Sequence, residues 1–219
     1  MSRSLARCPS ELQRTSPVGP LALVATMGAL GNVLGIIPIA LGQLPTPGVG
    51  QVALDFSSVA VVVVAIFLGW RLGALTGLLA GLGPAVMFGF VTGSTGVITF
   101  LLPVGKAFTG FTVGLIAQAM GPGRRLRSYN ILIAVLVGFI PEALLIWYYF
   151  VNLVPLFVTG YFAQVIAPTL ALPVLVKGVG EMIVIGFLTI ALVGNEGFRL
   201  FLTRFVPAEV LSVRVTRSA

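Results

Sequence analysis

The sequence predicts an all-α integral membrane protein, a bundle of six transmembrane helices with both termini in the cytoplasm. Three observations carry that prediction. Across 219 residues, 58% are hydrophobic, 9% are charged and the mean hydropathy is +1.10, well outside ordinary soluble composition. Apolar windows of about 20 residues, enough to cross a hydrocarbon core, recur along nearly the whole chain. The eleven arginines fall in four places: Arg3, Arg7 and Arg14; Arg71; Arg124, Arg125 and Arg127; and Arg199, Arg204, Arg214 and Arg217. The three intervening linkers carry none. By the positive-inside rule the arginine-bearing segments share the cytoplasmic side, which requires six crossings of a cell membrane.

The domain layout follows: a cytoplasmic N-terminal tail over 1–17, a membrane domain over 18–194 and a cytoplasmic, basic, amphipathic C-terminal tail over 195–219. The apolar run after residue 17 is too long for a signal-peptide core. The net charge of +7 is explained by topology, so no nucleic-acid partner is expected; the partner common to every segment is the lipid bilayer. Cys8 is alone, so no intrachain disulfide forms. Histidine is absent, and neither a metal site nor a cofactor is expected.

The first span, Val18 to Leu41, is rich in small residues: Ala22, Ala25, Gly28, Ala29, Gly31 and Gly35. Ala25 and Ala29, four apart, allow close approach of another helix, either within the chain or from a partner. Asn32 is the one strong hydrogen-bonding group well inside this span. Residues 42–51, with Pro45, Pro47 and three glycines, read as an uncharged loop and the best candidate lid. The second span, about Ala53 to Leu68, opens on Asp55, which reads first as a group favouring a helix N-terminus and second as a site residue. Gly69, Gly73, Gly77 and Gly81 then give the third span a face without side chains, suited to close packing.

The fourth span runs from Phe100 or Val104 to Met120 with Lys106 near its start. Gly105-Lys106 is not a nucleotide-binding loop, because Phe100 and Ala107 replace its glycine and its hydroxyl residue. In the fifth span, about Tyr129 to Val151, Pro141 predicts a kink beside Glu142. Tyr149, seven residues on, shares the face of Glu142 and reads either as an interfacial aromatic or as a ligand contact. The sixth span, Leu170 to Ala191, carries Lys177 and Glu181 on one face, with Gly178 and Gly180 leaving room beside them.

A charge near the bilayer centre costs on the order of 3 kcal/mol or more, so such groups face protein or a water-filled cavity. The topology puts Asp55, Lys106, Glu142 and Lys177 in the outer half, with Glu181 a turn deeper. Two readings stand: a structural ion-pair lock, or an outward-opening substrate site built from Asn32, Asp55, Lys106, Glu142, Tyr149, Lys177 and Glu181. Without histidine, a nucleophile elbow or a metal-ligand cluster, an enzyme using Glu142 or Glu181 is the lesser reading. A stand-alone small transporter is another alternative, disfavoured by six spans without an obvious repeat.

The segments VALDFSSVAVVVVAIFLGWRLGALTGLLAGLG and GKAFTGFTVGLIAQ resemble the substrate-binding S components of energy-coupling factor (ECF) transporters, six-helix importers of vitamins and other micronutrients. The resemblance implies a small polar or anionic substrate captured from outside and no enzymatic activity of the chain's own. It also implies assembly with a transmembrane coupling subunit and ATPase subunits, docked through the small-residue pair Ala25 and Ala29.

Overall fold

The computed structural model describes residues 18–41, 44–46, 50–52, 55–91, 99–120, 128–157, 159–160, 164–165, 167–203 and 205. The N-terminal tail over 1–17, the arginine-bearing segment 121–127 and the C-terminal tail beyond 205 lie outside the described residues. Five helical segments are long and apolar enough to cross a membrane, the make-up of a multi-pass membrane protein: Val18–Ile37, Trp70–Val91, Leu101–Ala119, Ser128–Phe157 and Ala167–Gly194. The first belongs to α1, Val18–Leu41. The uncharged loop after it holds a short antiparallel hairpin, β1 (Leu44–Thr46) and β2 (Gly50–Val52), so this stretch is not the plain loop that its turn residues suggest.

The second predicted span differs most. Helix α2 is Ser58–Leu68, only 11 residues. At 1.5 Å per residue it covers about 16 Å, roughly half of a hydrocarbon core. Its residues are apolar all round because it is enclosed all round: Ala60 through Phe67 are buried without a break. A half-length helix in the middle of a bundle must begin in the protein interior, where its first amides need internal partners. That beginning is where the charges gather.

Glycine columns set the packing around α2. Helix α3, Trp70–Val86, lies against α4, Leu101–Ala119. A Cβ at Gly73, Gly77 or Gly81 would collide with the α4 backbone at Gly110, Lys106 or Pro103. The predicted face without side chains therefore seats α4 and fixes the height of Lys106. On α1 the small residues divide. Gly28, Gly31 and Gly35 press on Leu79, Ala80 and Pro84 of α3, whereas Ala22, Ala25 and Ala29 are exposed on the opposite side.

Asn32 serves this α1–α3 contact. Its Nδ2 donates to the Leu79 carbonyl at 2.9 Å and its Oδ1 accepts the Gly83 amide at 2.6 Å. These two backbone groups form one helical rung just ahead of Pro84, and past that proline α3 widens into a π-helical turn over Met87–Val91. Asn32→Leu strands both groups, and an orphaned buried donor or acceptor typically costs about 1–3 kcal/mol. A lowered unfolding midpoint of the detergent-purified chain is the expected result; an unchanged midpoint would mean that the rung closes on itself.

The fifth predicted span is interrupted as Pro141 requires. Helix α5, Ser128–Gly138, ends at a turn through Phe139, and α6, Ile140–Tyr148, restarts there. The Gly138 carbonyl, near the break, accepts the Thr112 hydroxyl of α4 at 2.6 Å. A π-helical turn over Tyr149–Leu153 leads into α7, Val154–Phe157. Helix α8, Ala167–Gly194, runs past α5 and α6 with Gly178 on Phe139 and Gly186 on Leu132.

The amphipathic C-terminal tail begins as α9, Glu196–Thr203, with Leu202 buried against Leu23, Val63 and Phe67. Phe198 meets Phe67 edge-on at 6.2 Å. Gly19, at the start of α1, abuts the Phe205 carbonyl, so both ends of the described chain meet.

Candidate functional site

At the interior start of α2, Asp55, Ser57 and Ser58 face α4, and the Lys106 ammonium enters among them. It donates to Asp55 Oδ2 at 2.6 Å, to Ser57 Oγ in a short contact and to Ser58 Oγ at 3.4 Å. An ammonium has three N–H donors, and these three acceptors occupy them. Asp55 Oδ1 accepts the Ser57 amide at 2.9 Å, so the carboxylate serves both expected roles at once, helix-start acceptor and cluster member.

The cluster extends to the other two helices. The Asp55 amide donates to Glu181 Oε1, and the same oxygen lies 3.2 Å from Lys177 Nζ, one turn earlier on α8. Glu142 stands in the first turn of α6, packed on the bare face of Gly105, and its Oε2 accepts the Thr109 hydroxyl. Lys106, Glu142 and Glu181 are 3%, 7% and 8% exposed, while Asp55 and Lys177 keep 31% and 25% of their side-chain surface. The first three are buried and the last two are half-buried.

Of the residues singled out from sequence, Asp55, Lys106, Glu142, Lys177 and Glu181 converge as one cluster drawn from α2, α4, α6 and α8. Two others sit elsewhere. Asn32 has both ends of its amide engaged on α3, which makes it a helix cross-link. Tyr149 packs edge-on to Phe150 at 5.1 Å, against Val154 and Ala167.

Ser57, Ser58 and Thr109 were not anticipated. Their signal was nonetheless present: two hydroxyls directly after an aspartate at the head of an apolar run, and one a helical turn after the lysine. Among the described residues no group of three or more metal-ligating side chains is placed to hold a metal ion. Comparison with family models, with curated proteins and with solved structures returns no match for this chain.

The cluster gathers opposite charges from several helices, with Asp55 and Lys177 partly exposed and Lys106, Glu142 and Glu181 buried. It lies where a helix begins inside the bundle, an arrangement that membrane proteins tolerate where irregular backbone is buried in protein or lines a cavity.

Proposed function

We propose that the chain is the substrate-capture subunit of an ECF-type importer, taking a small polar micronutrient from the external side and handing it to a separate ATP-driven module. The observation that carries this reading is the convergence of five ionisable groups from four helices on one partly open cluster at the interior start of α2. A purely structural lock does not call for the partial exposure of Asp55 and Lys177. In this reading the termini are cytoplasmic, α2 lies in the second of six crossings, and the chain itself performs no chemistry.

The exposed side of α1 gives the reading its partner. Ala25 and Ala29 are turned outward while the neighbouring glycines pack inward, which leaves a flat strip for a coupling-subunit helix. In membranes of the native host, the tagged chain is expected to co-purify with ATPase activity and, after stripping to the isolated chain, with a bound small molecule identifiable by mass spectrometry. Ala25→Leu combined with Ala29→Leu should lower the co-purified ATPase at least tenfold and leave the isolated chain's unfolding midpoint unchanged. Loss of folding in that variant would instead place the strip inside the protein's own packing, and absence of both ATPase and small molecule would reject the reading.

A further inference from the structure

The intramembrane charges do not balance. Between residues 18 and 194 the carboxylates are Asp55, Glu142 and Glu181, and all three belong to the cluster. The lysines are Lys106 and Lys177, each already committed to a carboxylate, at 2.6 Å on Asp55 and 3.2 Å on Glu181. The remaining basic residues in that interval are Arg71, Arg124, Arg125 and Arg127. In sequence they follow the opposite ends of α2 and α4, and Arg71 lies over the Trp70 ring at 4.9 Å.

Glu142 is thus the carboxylate left over. It is 93% buried, since 7% of it is exposed. Among the described residues it has one hydrogen-bond partner, the Thr109 hydroxyl on Oε2, and no ammonium within ion-pairing distance. The Lys106 charge acts on Glu142 as well as on Asp55, so Glu142 only shares a counter-charge, an unfavourable arrangement for a buried carboxylate and more so in a membrane. Lys106 gives Glu142 no hydrogen bond, because its three donors are spent on Asp55, Ser57 and Ser58.

Resting on the capture reading, we infer that the ligand brings the missing positive charge: an organic cation with N–H donors, an ammonium or amidinium group, docking on Glu142 Oε1. An anionic ligand would face three carboxylates, with no free donor on Lys106 and with Lys177 held 3.2 Å from Glu181. A cationic one brings the cluster to neutrality and supplies what Glu142 lacks. The net negative character comes from α6, an element that the two lysines on α4 and α8 tend to obscure when the charges are read helix by helix.

The test uses three probes that share a ring and differ in charge: benzylammonium chloride, benzyl alcohol and sodium benzoate. Each is titrated to tens of millimolar against the full chain in detergent at pH 7, and the shift of the unfolding midpoint is converted to an apparent dissociation constant. Benzylammonium is expected to bind at least tenfold more tightly than benzoate, with benzyl alcohol no better than benzoate. Glu142→Gln, which removes the charge and keeps an acceptor for Thr109, should abolish that preference.

Equal or tighter binding of benzoate overturns the cationic class while leaving the capture reading intact. Retention of the preference in Glu142→Gln overturns the role of Glu142 and points to a proton as its resting partner. No shift from any probe overturns the assignment at this cluster; the capture reading is judged separately, by its co-purification experiment. The ranking on the parent chain decides the matter even where Glu142→Gln fails to fold.

Discussion

Lys106→Met is expected to be one of the most destabilising single changes in the chain. The substitution keeps the length of the side chain and removes its ammonium, leaving the Asp55 carboxylate without its counter-charge and Ser57 Oγ and Ser58 Oγ without their donor. Breaking one partner of a buried ion pair typically costs about 3–5 kcal/mol, against a total stability of about 5–15 kcal/mol for a typical protein. The second change Asp55→Asn removes the stranded charge, and the Asp55 amide still reaches Glu181 because it is backbone. Lys106→Met/Asp55→Asn is therefore expected to recover most of the loss, with a coupling energy of at least about 2 kcal/mol in a double-mutant cycle read by denaturant unfolding in mixed micelles. A single Lys106→Met variant as stable as the parent would show that the pair is not buried in the folded protein.

Gly77→Val comes next. A Cβ at Gly77 would fall on the Lys106 carbonyl and on the adjoining backbone of α4. Backbone cannot swing aside as a side-chain tip does, so the two helices must separate, at about 1–3 kcal/mol or more for the overpacking alone. Separation also lifts Lys106 away from Asp55, so affinity for any cluster ligand falls together with stability. Gly180→Ala is the internal contrast. Nothing lies within 4 Å of a Cβ there, and the same kind of change in mid-helix should be neutral or stabilise by about 0.5–1 kcal/mol through helix propensity. Unfolding midpoints of the two variants measured side by side check the prediction; similar shifts would show that the column does not seat α4.

Both changes act on elements that the sequence declares unevenly. Glycines at every fourth position from Gly69 to Gly81 announce a helix face without side chains, because only another backbone close by makes use of such a face in lipid. Which helix fills it is a matter of long-range pairing, and only the packed bundle shows that α4 does. Pro141 likewise marks the break between α5 and α6 from its ring alone, since a residue without an amide hydrogen cannot continue the ladder.

The second span shows where sequence reading stops. Its apolar run is long enough on paper to suggest a crossing, but hydropathy measures length along the chain and not the point where the helix begins. Starting at Ser58 leaves α2 about half as long as a hydrocarbon core is thick, with its head buried in the protein. Asp55 therefore meets Glu181 near the middle of α8.

By itself the sequence determined the class of the protein, the order of its apolar segments, the small and the kinked faces, and the five ionisable groups with nowhere to go but inward. Local periodicity, backbone chemistry and the penalty for charge in lipid act residue by residue, and they are legible without a fold. The tertiary structure alone decided the partners. Asn32 became a clamp on the rung between Gly83 and Leu79, Lys106 took Asp55 with two serines, and Glu142 was left with Thr109. Those assignments depend on the relative heights of four helices, set by which glycine meets which backbone, and no window along a single chain segment contains that information.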